Sequence, residues 1–323
     1  MKTPLCITLG DPNGIGPEIL VDAFQRGWLP DDTVVAGDAE VVRCAADLWS
    51  ESIPIRCIDR PEDRAEGDLN VLDQQRLTRA ELRPGRVARS GGEAGLAYVA
   101  AAVDGCRAGH FRGMVTLPLN KEAVRLADPG FSGHTGWIAD RCGVDDSVMM
   151  LVADALAVTH VSTHVSLREA IERVRPDRVE QVIRVTAATL RRLGRGERLA
   201  VAGLNPHAGE GGAFGREEAE GIEPAIRSCQ QAGLTVSGPH PPDVVFRQAV
   251  DGRFDAVVCM YHDQGHIPLK LLDFHGGVNV TLGLPFWRTS VDHGTAYDIA
   301  YQRKADPASL RAAICLAERL CGV

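Results

Sequence analysis

Short β-rich apolar runs alternate with helical patterns along the chain, and this alternation constrains the fold more than any other feature. LCITLG precedes GPEILVDAFQRG, DTVVAG precedes AEVVRCAADLW, GMVTLP precedes NKEAVRLA, and LAVAGL precedes REEAEGIEPAIRSCQQ. A helix that follows a strand brings the chain back to begin a parallel neighbour, so repeated units of this kind predict a mainly parallel sheet. The chain is therefore predicted to be an α/β protein.

The size and charge of the chain narrow its organisation and its partners. With 323 residues and 45% apolar content, the chain exceeds the usual single-domain length, and two domains are predicted. The net charge of -8 and the lack of a basic run predict that neither nucleic acid nor a membrane surface is a partner. No apolar stretch reaches the ~18 residues of a membrane span, and the N-terminal one is too short for a signal peptide. A cytoplasmic protein is therefore predicted. The nine cysteines lack Cys-x-x-Cys spacing, which is typical of reduced cysteines that pack in a core.

Three histidines occupy matching places in this pattern. His164, His207 and His262 each follow an apolar β-like run and precede a turn or a helix start. The carboxyl ends of strands in an open α/β sheet are where ligand sites gather. Three imidazoles there would offer a divalent metal neutral nitrogen donors and leave positions open for substrate or water. Each histidine taken alone is more typical of a core or surface group. The long sequence spacings between them do not by themselves indicate a metal site, but the three histidines together predict one.

A second group of residues has the chemistry of anion binding. His134 and Thr135 follow a glycine at a predicted helix start, where backbone N–H groups and the helix dipole favour negative charge, although Thr135 could equally be an N-cap. Lys270, Asn279 and Arg288 lie around the Gly-rich segment DFHGGVNVTLGLPFWRTS, and these residue types hold phosphate or carboxylate oxygens. Together they predict one wall of a pocket for an anionic substrate.

Two further features carry no clear chemistry in the sequence. His160, His266 and His275 are predicted to be structural. GDPNGIGPEI, residues 10–19, follows the first predicted strand and opens a helix, but it lacks the Gly-x-Gly-x-x-Gly order and is weak evidence for a dinucleotide site.

The longer motifs resemble one known family. GDPNGIGPE, GHT, STHVSLRE, LNPHAGEGGAFGREE, MYHDQGHIPLK and GVNVTLGLPFWRTSVDHGTAYDIA together resemble the 4-hydroxythreonine-4-phosphate dehydrogenase family of vitamin B6 biosynthesis. The likeness runs in the same order from about residue 5 to about residue 310. VDHGTAYDIA also looks like the nucleotide loop of the isocitrate and isopropylmalate dehydrogenase superfamily.

The resemblance implies the fold of that superfamily, with two α/β domains, mainly parallel sheets and a cleft between the domains. It implies a first domain of residues 1–125 and 285–323 with much of the nucleotide site, and a second of residues 126–284 with the metal histidines and the dimer interface. The implied activity is NAD- or NADP-dependent oxidation of the secondary alcohol of a small 4-phosphorylated hydroxy acid, assisted by divalent Zn, Mg, Co or Mn. In the 4-hydroxythreonine case the resulting 3-keto acid then loses carbon dioxide on the way to pyridoxal phosphate. The implied assembly is a homodimer whose active sites are shared across the interface.

The resemblance also implies roles for individual residues. The implied metal ligands are His164, His207 and His262. The implied substrate contacts are His134, Thr135, Lys270, Asn279 and Arg288. The implied cofactor contacts are Asp292, His293, Gly294 and Thr295. Asp243 and Lys270 are alternatives for the group that takes the hydroxyl proton.

Departures from the family pattern leave the substrate open. Gly136 stands where many relatives carry an acidic residue, and AYQRKAD replaces a Gly-containing turn after the nucleotide loop. HDQGHIPLKLL, with His266, looks more like a sister branch that acts on D-threonate or D-erythronate 4-phosphate. A further group oxidises aromatic cis-dihydrodiols and tends to lose the threonine and arginine that this chain keeps as Thr135 and Arg288. From other classes, a three-histidine metal site could serve a hydrolase that activates water, or a module that binds ligand without turnover.

Overall fold

The computed structural model describes residues 2–50, 52–273 and 276–322. His275, predicted to be structural, lies outside these ranges. The chain divides into two compact units, one of residues up to Ser147 with Leu284–Cys321, the other of Val148–Gly283 with Gly322. No helix in the described ranges is both long enough and apolar enough to cross a membrane.

Strands and helices alternate over most of the chain, as the sequence predicts. The strands are β1 (Leu5–Thr8), β2 (Thr33–Gly37), β3 (Ile55–Ile58), β4 (Leu69–Asp73), β5 (Gly113–Thr116), β6 (Val148–Val152), β7 (Ala157–His160), β8 (Leu199–Ala202), β9 (Val236–His240), β10 (Ala256–Cys259), β11 (Val278–Leu282) and β12 (Trp287–Ser290). The helices are α1 (Gly16–Gln25), α2 (Ala39–Ala46), α3 (Arg89–Arg107), α4 (Lys121–Arg125), α5 (His134–Cys142), α6 (Leu167–Glu172), α7 (Pro176–Arg192), α8 (Glu223–Gln231), α9 (Pro242–Val250), α10 (His262–Leu272) and α11 (Ala308–Cys321).

The first unit contains a fully parallel run of strands in the order β3-β4-β2-β1-β5-β12. Every residue of β1, β2 and β5 is buried. Parallel strands buried on both faces have continuous apolar sequences, because helices cover both sides of the sheet. The predicted mainly parallel α/β architecture is therefore confirmed, and the apolar runs LCIT and GMVT are its central strands.

The second unit contains the strand order β11-β6-β7-β10-β8-β9. Strands β7, β10, β8 and β9 are parallel, whereas β6 runs antiparallel to both β7 and β11. Its core is built from small and branched side chains such as Leu151, Val158, Ala200, Val257 and Leu269. Because β7, β10 and β8 are parallel neighbours, their carboxyl ends lie at one edge of the sheet, and the segments with the three predicted metal histidines leave from that edge.

Helix α5 belongs to the first unit in this division, whereas the sequence prediction placed residues 126–147 in the second. The helix buries Ile138 and Ala139. It is also tied to α3, because Arg141 donates hydrogen bonds of 3.0 and 2.6 Å to the carboxylate of Asp104. Such a long-range ion pair leaves no mark in the local sequence pattern, so the contact between α5 and α3 could not be predicted from the sequence.

Candidate active site

His164 and His262 come together in the second unit. Their ring centroids are 5.7 Å apart with an interplanar angle of 42°, and both line a cavity of about 490 Å³, which we call the histidine cavity. His262 Nδ1 lies 2.7 Å from Asp263 Oδ1. An ionised carboxylate only accepts hydrogen bonds, so Nδ1 carries the proton and Nε2 is left as a lone-pair donor. The donor type and the spacing of these two rings fit a divalent metal.

His207 lies apart from that pair. It is exposed on a coil, Pro206–Gly212, whose φ angles are 54° at His207, 54° at Ala208 and 44° at Glu210. Its ring meets Phe214, with centroids 6.5 Å apart, and it is not among the residues that line the histidine cavity. Within the described ranges, no group of three or more His, Cys, Asp or Glu side chains is arranged to hold a metal ion. A single chain therefore supplies two of the three predicted donors to one place.

The buried carboxylate of Glu218 stabilises the left-handed coil on which His207 lies. Glu218 is 4% exposed, and its Oε1 accepts hydrogen bonds from the backbone N–H groups of Leu204 (2.8 Å) and Asn205 (2.7 Å). Its Oε2 accepts a third from Asn205 Nδ2 at 2.9 Å. Non-glycine residues with positive φ are strained and persist only where surrounding contacts enforce them. Glu218 provides such contacts just before the coil begins.

Replacing Glu218 by Ala is expected to lower the free energy of unfolding by roughly 2–3 kcal/mol, because buried backbone donors would lose their acceptor. Urea unfolding followed by circular dichroism measures this change. Glu220→Ala is the matched control, since Glu220 is exposed in the same segment. Equal stability of the two variants would show that Glu218 does not hold the coil.

A buried arginine marks a second candidate region, in the first unit. Arg288 on β12 is 2% exposed, and its Nε and Nη2 donate to Thr116 Oγ1 at 3.2 and 2.7 Å. Its Nη1 donates to Thr135 Oγ1 at 3.1 Å. Burial lowers the pKa of Arg288 to about 10, so the guanidinium remains charged at neutral pH. A buried cation is costly unless it has an anionic partner or strong hydrogen bonds, and its position beside a helix start suits an anion.

His134, the first residue of α5, has a buried Nε2 without a hydrogen-bond partner among the described residues. Burial, together with the charges of Arg288 and Lys121, lowers the pKa of His134 to about 3. The imidazole is therefore neutral at pH 7 and keeps one N–H to donate. Lys121 Nζ also lies 3.7 Å from the position that a Cβ on Gly133 would take. Two cations, an orphaned polar atom and a helix N-terminus together fit a phosphate group. We call Arg288, Thr135, His134 and Lys121 the anion pocket.

The remaining predicted substrate and base residues lie in the second unit. Lys270 is half-buried on α10, two helical turns after His262. Asn279 is on β11, and its Oδ1 is buried without a hydrogen-bond partner in the described part of the chain. Asp243 is exposed in the first turn of α9 and is not among the residues of the histidine cavity.

The predicted nucleotide loop, residues 292–295, lies in the first unit against the GDPNG turn. His293 Nε2 is buried without a partner among the described residues, and a Cβ on Gly294 would meet nothing within 4 Å. A backbone hydrogen bond holds this loop against the GDPNG turn, since the N–H of Ile15 donates to the carbonyl of Thr295 at 3.0 Å. Open space beside Gly294 and an unused imidazole nitrogen fit a polar cofactor.

Asp11 is the buried hydrogen-bond acceptor of the GDPNG turn. It is fully buried and accepts hydrogen bonds from Tyr297 OH (2.7 Å) and from the N–H of Asn13 (2.9 Å). Burial raises the pKa of Asp11, while these hydrogen bonds lower it. The turn therefore anchors the loop that follows Thr295.

Comparison with known proteins identifies the family of this chain. The family model described as pyridoxal phosphate biosynthetic protein PdxA matches residues 30–317. The chain belongs to the PdxA family. It is 43% identical to D-threonate 4-phosphate dehydrogenase of Pectobacterium atrosepticum over 99% of this chain and 100% of that protein. The crystal structure of 4-hydroxythreonine-4-phosphate dehydrogenase from Klebsiella pneumoniae superposes with a TM-score of 0.89 at 42% identity, covering 99% of this chain and 100% of the other.

A more distant solved structure bears on the fold of this PdxA family member. The β-decarboxylating dehydrogenase of Thermococcus kodakarensis has a TM-score of 0.55 at 10% identity, covering 99% of this chain and 84% of that protein. At this identity the likeness concerns the fold alone. The fold and the family that the motifs predicted are therefore both confirmed.

Sequence reasoning missed several polar residues at these PdxA-family sites. Lys121 was not singled out, although it directly follows Asn120, whose side chain caps α4. Thr116 ends β5 and holds the Arg288 guanidinium. Asp11 belongs to a motif that was noted only for its glycines. The available signal was position: each follows or ends a strand, where ligand sites gather.

Proposed function

We propose that this protein is a metal-dependent dehydrogenase that oxidises the secondary alcohol of a 4-phosphorylated hydroxy acid and passes the hydride to NAD or NADP. The observation that carries this proposal is the buried Arg288 guanidinium, hydrogen-bonded to Thr135 at the start of α5. A buried guanidinium beside the start of a helix is well suited to bind an anion, because low solvent exposure strengthens its electrostatic attraction. Membership of the PdxA family and the names of its relatives support the same reaction.

The anion pocket is proposed to bind the phosphate. Arg288 would attract the phosphate through its buried positive charge, and Thr135 would offer its hydroxyl and the N–H of the first turn of α5. His134, being neutral, would donate one hydrogen bond through its orphaned nitrogen. Lys270 and Asn279 are proposed as further substrate contacts, and the buried Asn279 Oδ1 is free to accept a hydrogen bond from a hydroxyl group.

The histidines are proposed to hold a divalent ion, with His164 and His262 from one chain. When bound, such an ion polarises the substrate hydroxyl and lowers its pKa, which makes hydride loss from the adjacent carbon easier. Asp263 keeps the proton on His262 Nδ1, so that the other nitrogen is available for binding. The candidate general bases are Asp243 and Lys270, and Lys270 shares α10 with His262.

The nucleotide loop is proposed to bind the cofactor, whose nicotinamide ring accepts the hydride. Asp292, His293, Gly294 and Thr295 would line this site. Gly294 lets a ligand approach the backbone closely, since no side chain occupies that space. The Asp11–Tyr297 hydrogen bond keeps the following segment in place.

A homodimer is proposed because the second unit exposes several large apolar side chains, some of them on the two helices α6 and α10 that also contribute to the histidine cavity. Leu167 (66%) and Ile171 (46%) are exposed on α6, Leu271 (83%) on α10, and Phe214 (52%) next to the His207 coil. Large apolar side chains that stay exposed on such helices fit a protein interface. We propose that a second copy covers them and that His207 of one chain completes the metal site of the other.

Two phosphorylated substrates are compatible with these residues. 4-Hydroxythreonine 4-phosphate would be oxidised to a 3-keto acid that then loses carbon dioxide, in pyridoxal phosphate synthesis. D-Threonate or D-erythronate 4-phosphate is the alternative, supported by the name of the Pectobacterium relative. Both need the same phosphate and alcohol chemistry, so the anion pocket does not distinguish them.

An assay with matched substrates tests the proposal. Purified protein is given Zn, Mg, Co or Mn, either NAD or NADP, and each hydroxy acid with and without its 4-phosphate. We expect reduced nicotinamide to form only with a phosphorylated acid, and to stop when a chelator removes the metal. Oxidation of a cis-dihydrodiol or of the unphosphorylated acids alone would refute the role of the anion pocket. Hydrolysis without nicotinamide reduction would favour the metallohydrolase instead.

A further inference from the structure

Three imidazole rings form a continuous stack behind the proposed metal ligand His262. The rings of His262 and His266 lie with centroids 3.5 Å apart and an interplanar angle of 14°. His266 in turn meets His160, with centroids 4.8 Å apart and an angle of 41°. His160 is the last residue of β7 and is 1% exposed, so the stack connects the cavity wall to the core.

Hydrogen bonds indicate that each ring carries a proton on Nδ1. His160 Nδ1 lies 3.3 Å from the carbonyl of Met149, and a carbonyl only accepts, so Nδ1 is the protonated nitrogen. Its Nε2 must then accept the 3.2 Å hydrogen bond from His266 Nδ1. His266 Nδ1 also lies 3.1 Å from the carbonyl of His262, which agrees with a proton there. Together with His262 Nδ1 facing Asp263, the whole stack has Nδ1 protonated.

Gly265 makes this arrangement sterically possible. A Cβ at residue 265 would lie 2.6 Å from His160 Nε2 and 2.9 Å from Cys259 Sγ. Any side chain would therefore push His160 away from His266. The Gly-His pair in HDQGHIPLK is thus explained by contacts between residues 106 positions apart, which no local pattern could indicate.

A metal-ligating histidine depends on the groups that hold its ring. Asp263 fixes the tautomer of His262, but its own side chain is 68% exposed and limits rotation of the ring only weakly. The parallel His266 ring covers one face of His262, and His266 is itself held by a buried residue. Outer partners of this kind orient a ligand and raise metal affinity.

We propose that His266, anchored by buried His160, is a positioning residue that holds the His262 ring in the orientation needed for metal binding. This inference rests on the proposed function, because it assumes that His262 is a metal ligand. It assigns a role to two histidines that the sequence predicted to be structural. The positioning role affects metal affinity, whereas phosphate binding is proposed for the anion pocket.

Nitrogen-15 NMR of histidine-labelled, metal-free protein tests the tautomers directly. We expect His160, His262 and His266 all to be protonated at Nδ1, which is the minor tautomer of free histidine. In His266→Leu, we expect His262 to average between ring orientations, and binding of Co²⁺ followed by calorimetry to weaken by roughly 10- to 100-fold. His160→Leu removes the side-chain acceptor of His266 and should weaken Co²⁺ binding in the same direction.

His110→Leu is the control, since His110 is an exposed histidine of the first unit and should bind Co²⁺ as the wild type does. A folded His266→Leu protein with wild-type Co²⁺ affinity would overturn the positioning role and leave the proposed function standing. A His266 ring protonated at Nε2 in the wild type would also overturn it. Wild-type protein that binds no divalent metal would overturn both this inference and the metal-dependent function.

Discussion

Replacement of Arg288 by Met is expected to lower kcat/KM for the phosphorylated substrate by about 100- to 1000-fold. A buried charge paired with a ligand phosphate contributes roughly 3–4 kcal/mol when the partner would otherwise be left unpaired, and each 1.4 kcal/mol is about tenfold. Arg288 is 2% exposed and its guanidinium is directed by Thr116 and Thr135, so the substitution removes a charge that is already positioned in the pocket. Steady-state kinetics with phosphorylated and dephosphorylated acids measures the effect.

The comparison variants separate loss of charge from loss of fold. Arg288→Lys keeps the charge without the planar fork and should lose less activity than Arg288→Met. Arg60→Met removes an arginine whose side chain is 75% exposed and should be indistinguishable from the wild type. If folded Arg288→Met uses the phosphorylated acid as well as the wild type does, Arg288 is not the phosphate ligand.

Mixing two inactive variants is expected to restore activity if the metal site is shared between chains. His207→Ala and His262→Ala should each be close to inactive as homodimers, because each lacks one proposed metal donor. In a heterodimer of the two, one site loses both donors and the other retains all three. Random reassociation gives half heterodimers, so about one quarter of the wild-type activity should return. Dehydrogenase turnover and bound metal per dimer are measured before and after mixing.

The double variant His207→Ala/His262→Ala provides the control for this experiment. Mixed with His207→Ala, it offers no chain with an intact His207, and no activity should return. If a single chain supplied all three histidines, no mixture of the two single variants would contain an intact site. Failure to recover activity after proven subunit exchange would therefore rule out a shared site.

The sequence was sufficient to predict some of the candidate site residues and their proximity, but not others. His164 and His262 follow neighbouring parallel strands, so position after a strand was enough to bring them together. His207 follows β8 in the same way, but it is exposed on a coil with positive φ angles, and left-handed backbone at His and Ala has no reliable sequence signal. Arg288 and Thr135 were predicted as anion ligands from residue type and motif, and they are hydrogen-bonded in the first unit.

The alternation of apolar strands and helices was sufficient to predict a mainly parallel α/β fold, and the long motifs were sufficient to predict the family. The fold prediction depends on local periodicity, and the family prediction depends on motifs of residues that are close together in the chain. Both kinds of pattern can be seen directly in the sequence. The contacts of Lys121, Asp11, His160 and His266 became visible only in the tertiary structure. Among their partners, Tyr297 lies 286 residues from Asp11 and His160 lies 106 residues from His266. Burial creates the electrostatic and hydrogen-bonding demands that give such side chains a function.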